Sequence, residues 1–309
     1  MKKVLVTGAG GFVGRHALKT LVERGFEVHA VASKTLPSLS SDCRWHLANL
    51  LDILAIKELI CQVKPTHLLH FAWCYTVPGQ YWKSEDNFLW VQASIELLRQ
   101  FREHGGDRAV MGGTCAEYDW NYGYCSEFVT PLNPDTPYGI CKKALHEIVS
   151  SYSQTTSLSI AWGRIFFPYG SYEYPNRLVS SVILSLLKGE PARCSHGNQI
   201  RDFMYVQDVA DAFVALLESD VTGAVNIASG RAIAIKDVVY KIADLIGKPD
   251  LVQLGAVPSA ATEPPLLVAD VRRLLNEVGW QPKFSLEMGL RQAIIWWETQ
   301  IIQDCKLSN

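Results

Sequence analysis

The sequence predicts an α/β protein, a doubly wound parallel sheet with a smaller α/β lobe attached. Three observations carry this expectation. Short apolar runs alternate with helical patterns through the first half, a glycine-rich turn joins the first run to the first helix, and the alternation loosens after Phe167.

Val4-Leu5-Val6 reads as a buried strand that breaks at once into Thr7-Gly8-Ala9-Gly10-Gly11. That break distinguishes it from a signal peptide, although Lys2 and Lys3 precede it. Residues 12–24 follow as a helix, with Val13, Ala17, Leu18, Leu21 and Val22 at helical spacing and Gly25 as the stop. Residues 28–32 make the next strand, 53–62 a short helix and 67–71 a third strand. A long helical pattern over 87–104 leads into Ala109-Val110-Met111. Thr136 then caps a helix that has Pro137 at its first position and runs to Tyr152. Residues 159–166 close the series as a strand. Such alternation calls for a parallel sheet covered on both faces. Beyond it Pro168, Gly170 and Pro175 break the chain, 176–187 reads as a helix, and Phe203-Met204-Tyr205-Val206 returns to pattern before an amphipathic helix over 208–218. Residues 255–265, with three prolines, read as a surface loop. The expected division is a first lobe of residues 1–166 plus 203–228, and a second of 167–202 plus 229–309.

The chain has 309 residues, enough for two lobes and for a core that needs no disulfide or metal. With 48% hydrophobic and 19% charged residues it is neither disordered nor fibrous. A net charge of -2 leaves no basic surplus for nucleic acid, and no apolar run is long enough to suggest a membrane span. The eight cysteines form no C-x-x-C pair and no zinc spacing, so they read as free thiols of a cytoplasmic protein without a metal.

Thr7 to Gly14 spaces glycines as G-x-x-G-x-x-G between a strand and a helix, the context in which such a turn holds a dinucleotide. Gly8, Gly10 and Gly11 let the chain turn sharply and, with Phe12 and Val13, present backbone N–H groups to a pyrophosphate. The helix N-terminus adds its dipole, and Gly14 lets helix and strand pack closely. A tight turn without a ligand is the plainer reading of three glycines alone. An acidic residue at the end of the second strand commonly holds the ribose 2′-OH of NAD. Here the strand ends Val31-Ala32-Ser33-Lys34. Ser33 can hydrogen-bond a 2′-phosphate and Lys34 can offset its charge, so NADP(H) is favoured and NAD(H) is the alternative. A solvated loop lysine is the bland reading of Lys34.

Tyr138 and Lys142 stand four apart on one helical face. A phenol with a free pKa near ~10 exchanges protons poorly at neutral pH, and a neighbouring ammonium stabilises its phenolate. Tyr138 then serves as proton donor or acceptor to a carbinol oxygen, and Lys142 also suits the nicotinamide ribose. A chance pair on a surface helix is the alternative.

With these residues the chain resembles the extended short-chain dehydrogenase/reductase family, the NAD(P)-dependent sugar epimerase/dehydratase group. The resemblance spans nearly the whole length: T-G-x-x-G-x-x-G at Thr7 to Gly14, His70-Phe71-Ala72, Tyr138/Lys142, Arg201 to Asp208, Asn226-Ile227-Ala228-Ser229-Gly230, Ala269-Asp270, and Val278-Gly279-Trp280-Gln281-Pro282. It implies Thr114 as third catalytic residue, orienting the carbonyl that Tyr138 protonates; a threonine capping its own turn is the alternative. It also implies Phe71 and Ala72 beside the cofactor, Asn49-Leu50 at the adenine, and Arg201 with Asn176 on a substrate diphosphate. An ion pair of Arg201 with Asp202 or a neighbour is the competing reading. A homodimer through a four-helix bundle of helices 87–104 and 136–152 follows from the same resemblance.

Departures narrow the chemistry. Sugar-nucleotide 4,6-dehydratases of this family carry T-D-E where this chain has Thr114-Cys115-Ala116, so dehydration is disfavoured. Glu117, one residue further along an extended strand, points to the opposite face and reads as structural. The pattern is closest to nucleotide-sugar 4-ketoreductases: NADPH-dependent reduction of a nucleotide-linked 4-keto-6-deoxy sugar. A nucleotide-sugar 4-epimerase, a reductase of a non-nucleotide carbonyl, and a binding protein without turnover are the alternatives. Phe167 replaces the asparagine of R-x-x-N-x-Y-G, and Ala260-Ala261-Thr262-Glu263 stands where R-x-G-D is usual, which leaves Arg177 and Arg193 as candidates for a second phosphate cation. Trp73, Tyr75, Tyr81, Trp82 and Trp90 could wall a sugar or base, or simply fill the core.

Overall fold

The chain is described here from a computed structural model covering residues 2–36, 42–73, 80–259 and 263–307. In chain order the first half contains β1 (Lys3–Thr7), α1 (Gly14–Glu23), β2 (Glu27–Ala32), β3 (Arg44–Leu47), α2 (Ile53–Val63), β4 (His67–His70), α3 (Asp86–Glu103) and β5 (Arg108–Thr114). There follow β6 (Tyr124–Cys125), α4 (Pro137–Thr156), β7 (Ser159–Ile165), β8 (Phe167–Tyr169), α5 (Leu178–Lys188), β9 (Ala192–Arg193), β10 (Ile200–Arg201), β11 (Phe203–Tyr205) and α6 (Val206–Glu218). The remainder is β12 (Gly223–Ile227), β13 (Ile233–Ala234), α7 (Ile235–Ile246), β14 (Val252–Gln253), β15 (Leu266–Ala269), α8 (Arg272–Asn276) and α9 (Leu286–Leu307).

Seven parallel strands form the main sheet in the order β12-β7-β5-β4-β1-β2-β3. Its central strands are buried on both faces, and their period-two pattern divides the core. Val4 and Val6 of β1 face Ala17 and Leu21 of α1 and Phe213 of α6. Leu5 faces the other way, into a core built with Ile56 of α2, Leu97 of α3 and Leu145 of α4. Strand order reverses between β1 and β4, so the crevice at their carboxyl ends is where ligands bind in such sheets.

A second, four-stranded sheet runs β13-β10-β15-β6. Helices α5, α7 and α9 close a third core around Ile183, Val238, Ile242 and Leu290. Asp202, between β10 and β11, ties this region together. Its carboxylate accepts from Ser229 N at 2.8 Å, Ser229 Oγ at 2.6 Å, Gly230 N at 2.9 Å and Ala269 N at 3.3 Å. One side chain thus joins the exit of β12 to the end of β15.

One expectation needs correction, and one strand was not anticipated. The helix read from residue 176 begins at Leu178, because the chain after Pro175 first makes a turn in which Arg177 N donates to Tyr174 O at 3.0 Å. Strand β3 has no apolar run and is half-exposed at the sheet edge, so composition did not announce it. Tyr75 and residues 260–262 lie outside the described residues. Among those described, no helix is long and apolar enough to cross a membrane.

Replacing Asp202 with alanine leaves three N–H groups and a hydroxyl without their acceptor. The expected loss is about 2–4 kcal/mol of unfolding free energy, read from the urea midpoint at unchanged m-value.

Candidate active site

The glycine turn fits a phosphate cradle. Gly8 has φ +65°, and a Cβ there would come within 2.7 Å of Ala72 N and 2.9 Å of the Phe71 carbonyl carbon. Only glycine lets β1 and the end of β4 approach this closely. Gly11 N donates to Gly8 O at 2.9 Å, and Gly14 packs against the backbone of Gly8 and Ala9. No side chain caps α1, and although Arg15 N and His16 N donate to Gly11 O and Val13 O at 3.4 and 3.1 Å, the helix N-terminus still directs its dipole at the turn. Arg15, not singled out in the sequence, donates to the carbonyls of Gly10 and Gly11 and stacks 3.8 Å from the Tyr172 ring.

Behind the turn lies a buried polar chain. Ser94 Oγ donates to Trp90 O at 2.7 Å, so His70 Nε2 donates to Ser94 at 2.9 Å and His70 Nδ1 accepts from Thr7 Oγ1 at 2.7 Å. Thr7 Oγ1 in turn accepts from Ala72 N at 3.3 Å. Burial holds His70 down to about 3, which suits this neutral tautomer. Phe71 meets Phe213 edge to face at 4.8 Å. Ser33 and Lys34 are exposed at the end of β2 with no carboxylate beside them in sequence. Asn49 is exposed and accepts from Leu51 N at 3.1 Å, while Leu50 is buried.

Thr114 ends β5, and Tyr138 and Lys142 stand one turn apart on α4. Thr136 caps α4 by accepting from Gly139 N at 3.2 Å, which sets the helix start and places Tyr138 in its first turn. The hydroxyl of Thr114 lies on the Tyr138 phenol side of the turn and works against the effect of burial on that phenol. Thr114 also caps its own turn, accepting from Ala116 N at 3.2 Å, as the alternative reading of it had it. Lys142 Nζ donates to Gly112 O at 2.7 Å and lies 3.6 Å from the centre of the Trp73 ring. Burial, first, and the neighbouring Tyr81 push the Tyr138 phenol above its ordinary range. Burial pulls Lys142 down to about 7, with Glu117 opposing.

Glu117 does not continue an extended strand. The chain bends at Cys115 into a single 3₁₀ turn, Cys115–Glu117, and the carboxylate swings back beneath it. There it accepts from Thr114 N at 2.8 Å, Trp162 Nε1 at 2.9 Å and Arg164 Nε at 2.7 Å, with both members of the ion pair fully buried. The structural role stands; the geometry behind it is that of a turn.

Aromatic rings enclose Tyr138. Tyr81 and Trp82 meet it nearly perpendicularly at 5.1 and 5.3 Å, and Trp120 stands behind Trp82 at 6.2 Å. Burial pushes the Tyr81 phenol up, and the Arg177 charge opposes it. Of the aromatic residues singled out, Trp73, Tyr81 and Trp82 reach the site, and Trp90 stacks on Trp73 at 6.4 Å. Trp120 was not foreseen, since nothing in its local pattern marks it.

Arg201 is buried and paired, but with Glu263 rather than Asp202. Nη2 donates to Glu263 Oε1 at 3.0 Å, and Gln199 Nε2 holds the other oxygen at 2.8 Å. Asp202 is occupied with backbone donors, as described above. Asn176 is exposed just ahead of α5. A cavity of ≈ 570 Å³ runs from Ala116 past Trp120 and Asn133 to Glu263, within the range of small-molecule sites.

The model of the NAD dependent epimerase/dehydratase family matches residues 4–228. The chain is 27% identical over 327 residues to dTDP-glucose 4,6-dehydratase of Xanthomonas campestris pv. campestris, covering 96% of this chain and 93% of that protein. It is 26% identical over 316 residues to UDP-glucose 4-epimerase of Corynebacterium glutamicum, covering 92% of each. Its fold superposes on the Thermus thermophilus UDP-glucose 4-epimerase complex with NAD at a TM-score of 0.84 and 25% identity, over 96% of this chain and 99% of that one.

Glu117→Gln leaves the Arg164 guanidinium buried without a counter-charge and lowers the unfolding free energy by about 3–5 kcal/mol. Adding Arg164→Met to it recovers most of that loss. Urea unfolding measures both, and a single-variant loss below about 1 kcal/mol would contradict the expectation.

Proposed function

The chain belongs to the NAD dependent epimerase/dehydratase family, and we propose that within it the protein reduces the C4 keto group of a nucleotide-linked 4-keto-6-deoxy sugar with NADPH. The observation that carries this reading is the catalytic turn. Cys115 and Ala116 stand where an elimination would need an acid and a base, and Glu117 is locked onto Arg164. Tyr138 is left as the proton donor, which suits a reaction that moves one proton and one hydride.

Thr114 and Tyr138 would bring two hydroxyls to one point where a carbonyl oxygen is held and polarised. Tyr138 gives its proton to that oxygen as negative charge develops. Lys142, one turn along α4, stabilises the phenolate left behind. When bound, the nicotinamide cofactor supplies the hydride to the carbonyl carbon. The turn from Gly8 through Gly10, Gly11, Phe12 and Val13 to Gly14 would hold the pyrophosphate, Asn49 and Leu50 the adenine, and Phe71 and Ala72 the wall beside it. Ser33 and Lys34, without an acid at the end of β2, support a 2′-phosphate.

Arg201, Asn176 and Arg177 would take the substrate diphosphate, in a lobe assembled from residues 167–202 and 229–309. The Glu263 partner of Arg201 favours a second reading, a carbonyl substrate without a nucleotide. Likeness to 4-epimerases supports a third, epimerisation with retained cofactor, by the same Tyr138 and Lys142. Phe88 and Leu89 of α3 and Ile140 and Ile148 of α4 are exposed, which supports a homodimer through a four-helix bundle.

Incubation with NADPH and a panel of nucleotide-linked 4-keto-6-deoxy sugars tests the reading: NADPH absorbance falls with one of them, and Tyr138→Phe abolishes the loss while still binding cofactor. Turnover without net NADPH consumption would favour the epimerase instead. Replacing both Ser33 and Lys34 by alanine should weaken NADPH binding at least about tenfold more than NADH binding, measured by fluorescence titration; equal effects would rule out the NADP preference.

A further inference from the structure

Lys142 carries three N–H donors in its charged form. One is taken by Gly112 O at 2.7 Å, and the ammonium rests against the face of Trp73, 3.6 Å from the ring centre. Trp162 lies farther off, at 5.8 Å.

Trp73 is fixed there by an amide. Its Nε1 donates to Asn87 Oδ1 at 2.9 Å, and Asn87 is fully buried in the first turn of α3. The Asn87 nitrogen donates to Tyr81 O at 2.7 Å and to Ser84 O at 2.8 Å. The oxygen therefore has to face the indole, and the amide has one orientation that satisfies every partner. Through it, the ring on Lys142 and the backbone of Tyr81, whose own ring abuts Tyr138, share one anchor.

We propose that Trp73 is a positioning residue of the catalytic pair: its ring face, held in place by Asn87, keeps the buried Lys142 ammonium charged through a cation–π contact. The proposal rests on the reading of Tyr138 and Lys142 as the working pair.

The other groups facing Lys142 leave this task to the ring. Glu117, beneath the turn after β5, favours the charged form but is already paired with Arg164 of β7. His70 of β4 is held neutral and hydrogen-bonded to Thr7 and Ser94. Tyr138, on the lysine's own helix, is protonated in the resting site. Burial brings Lys142 down to about 7, so a contact of modest strength decides its charge at working pH. A desolvated cation–π contact is worth about one pH unit in such a titration.

The direction follows from the chemistry. Removing the ring face makes the ammonium a stronger acid. Carbonyl reduction needs Tyr138 protonated and Lys142 charged, so the alkaline limb of kcat/KM moves to lower pH.

The test titrates Lys142 in the unliganded 309-residue chain by NMR of ¹³Cε-labelled lysine, with Lys142→Met assigning the resonance. Trp73→Leu should lower the midpoint by about one pH unit, and Trp73→Phe, which keeps a ring face, by less than half of that. Uniform replacement of tryptophan by 5-fluorotryptophan, which thins the ring's electron density without altering its shape, should lower it in the parent chain but not in Trp73→Phe. This arm holds even where Trp73→Leu fails to fold. Midpoints within about 0.3 unit of the parent in Trp73→Leu, or no fluorination effect, would overturn the proposal. So would a uniform fall in rate with an unmoved alkaline limb. Retained turnover in Tyr138→Phe would instead overturn the reading of the pair, and the lysine midpoints would still decide whether the ring holds its charge.

Discussion

The carboxylate of Glu117 is the point on which the reactive end of the sheet depends. Three residues meet there, Thr114 at the end of β5 and Trp162 and Arg164 of β7, and Tyr118, leaving the turn, accepts from the same guanidinium at 3.1 Å. A buried ion pair gains little net stability over apolar residues of the same size, because both charges give up their hydration. Its value lies in direction. A carboxylate that accepts from a backbone N–H, an indole and a guanidinium has one orientation, and the turn carrying Thr114 takes its shape from that orientation. Tyr118 extends the same order to Asn226, donating to Oδ1 at 2.8 Å, and Asn226 in turn donates to Cys125 O and Asp270 O.

Desolvation works on the two proton-handling groups in opposite senses. Taken alone, it pushes the tyrosine toward the phenol and the lysine toward the amine. A single anionic neighbour shared with an arginine cannot reverse this, and the aromatic enclosure lowers the local dielectric further. The enclosure and the shifted protonation equilibria have one origin.

Much of this was legible in the residues themselves. The glycine turn, the strand before it and the helix after it are local, and their signals are Gly8, Gly14 and the apolar spacing of α1. The start of α4 was equally plain, because Thr136 and Pro137 act on their own helix. What failed was non-local. Glu117 reads as part of a strand until Arg164, 47 residues away, is seen to hold it. The partner of Arg201 lies 62 residues on, beyond several intervening elements. Asn87 and Trp120 look like ordinary helix and turn residues, since their importance comes from the rings and carbonyls they meet. Strand β3 owes its place to its neighbour β2, with four residues too polar to declare a strand alone.

The order of strands in the main sheet has a consequence for how the chain is made. Strand β12 forms one edge, pairing with β7 from Gly223↔Ala161 to Ile227↔Ile165. On a ribosome β7 emerges with its outer edge unpaired and waits while the whole stretch from β8 through α6 follows. For that interval the nascent protein presents a strand edge able to pair with other chains. Helix α6, which covers the adjacent face with Phe213, is synthesised just before the edge closes. Sheet completion is thus a late event, and a chain truncated short of residue 223 would be an aggregation hazard rather than a smaller domain.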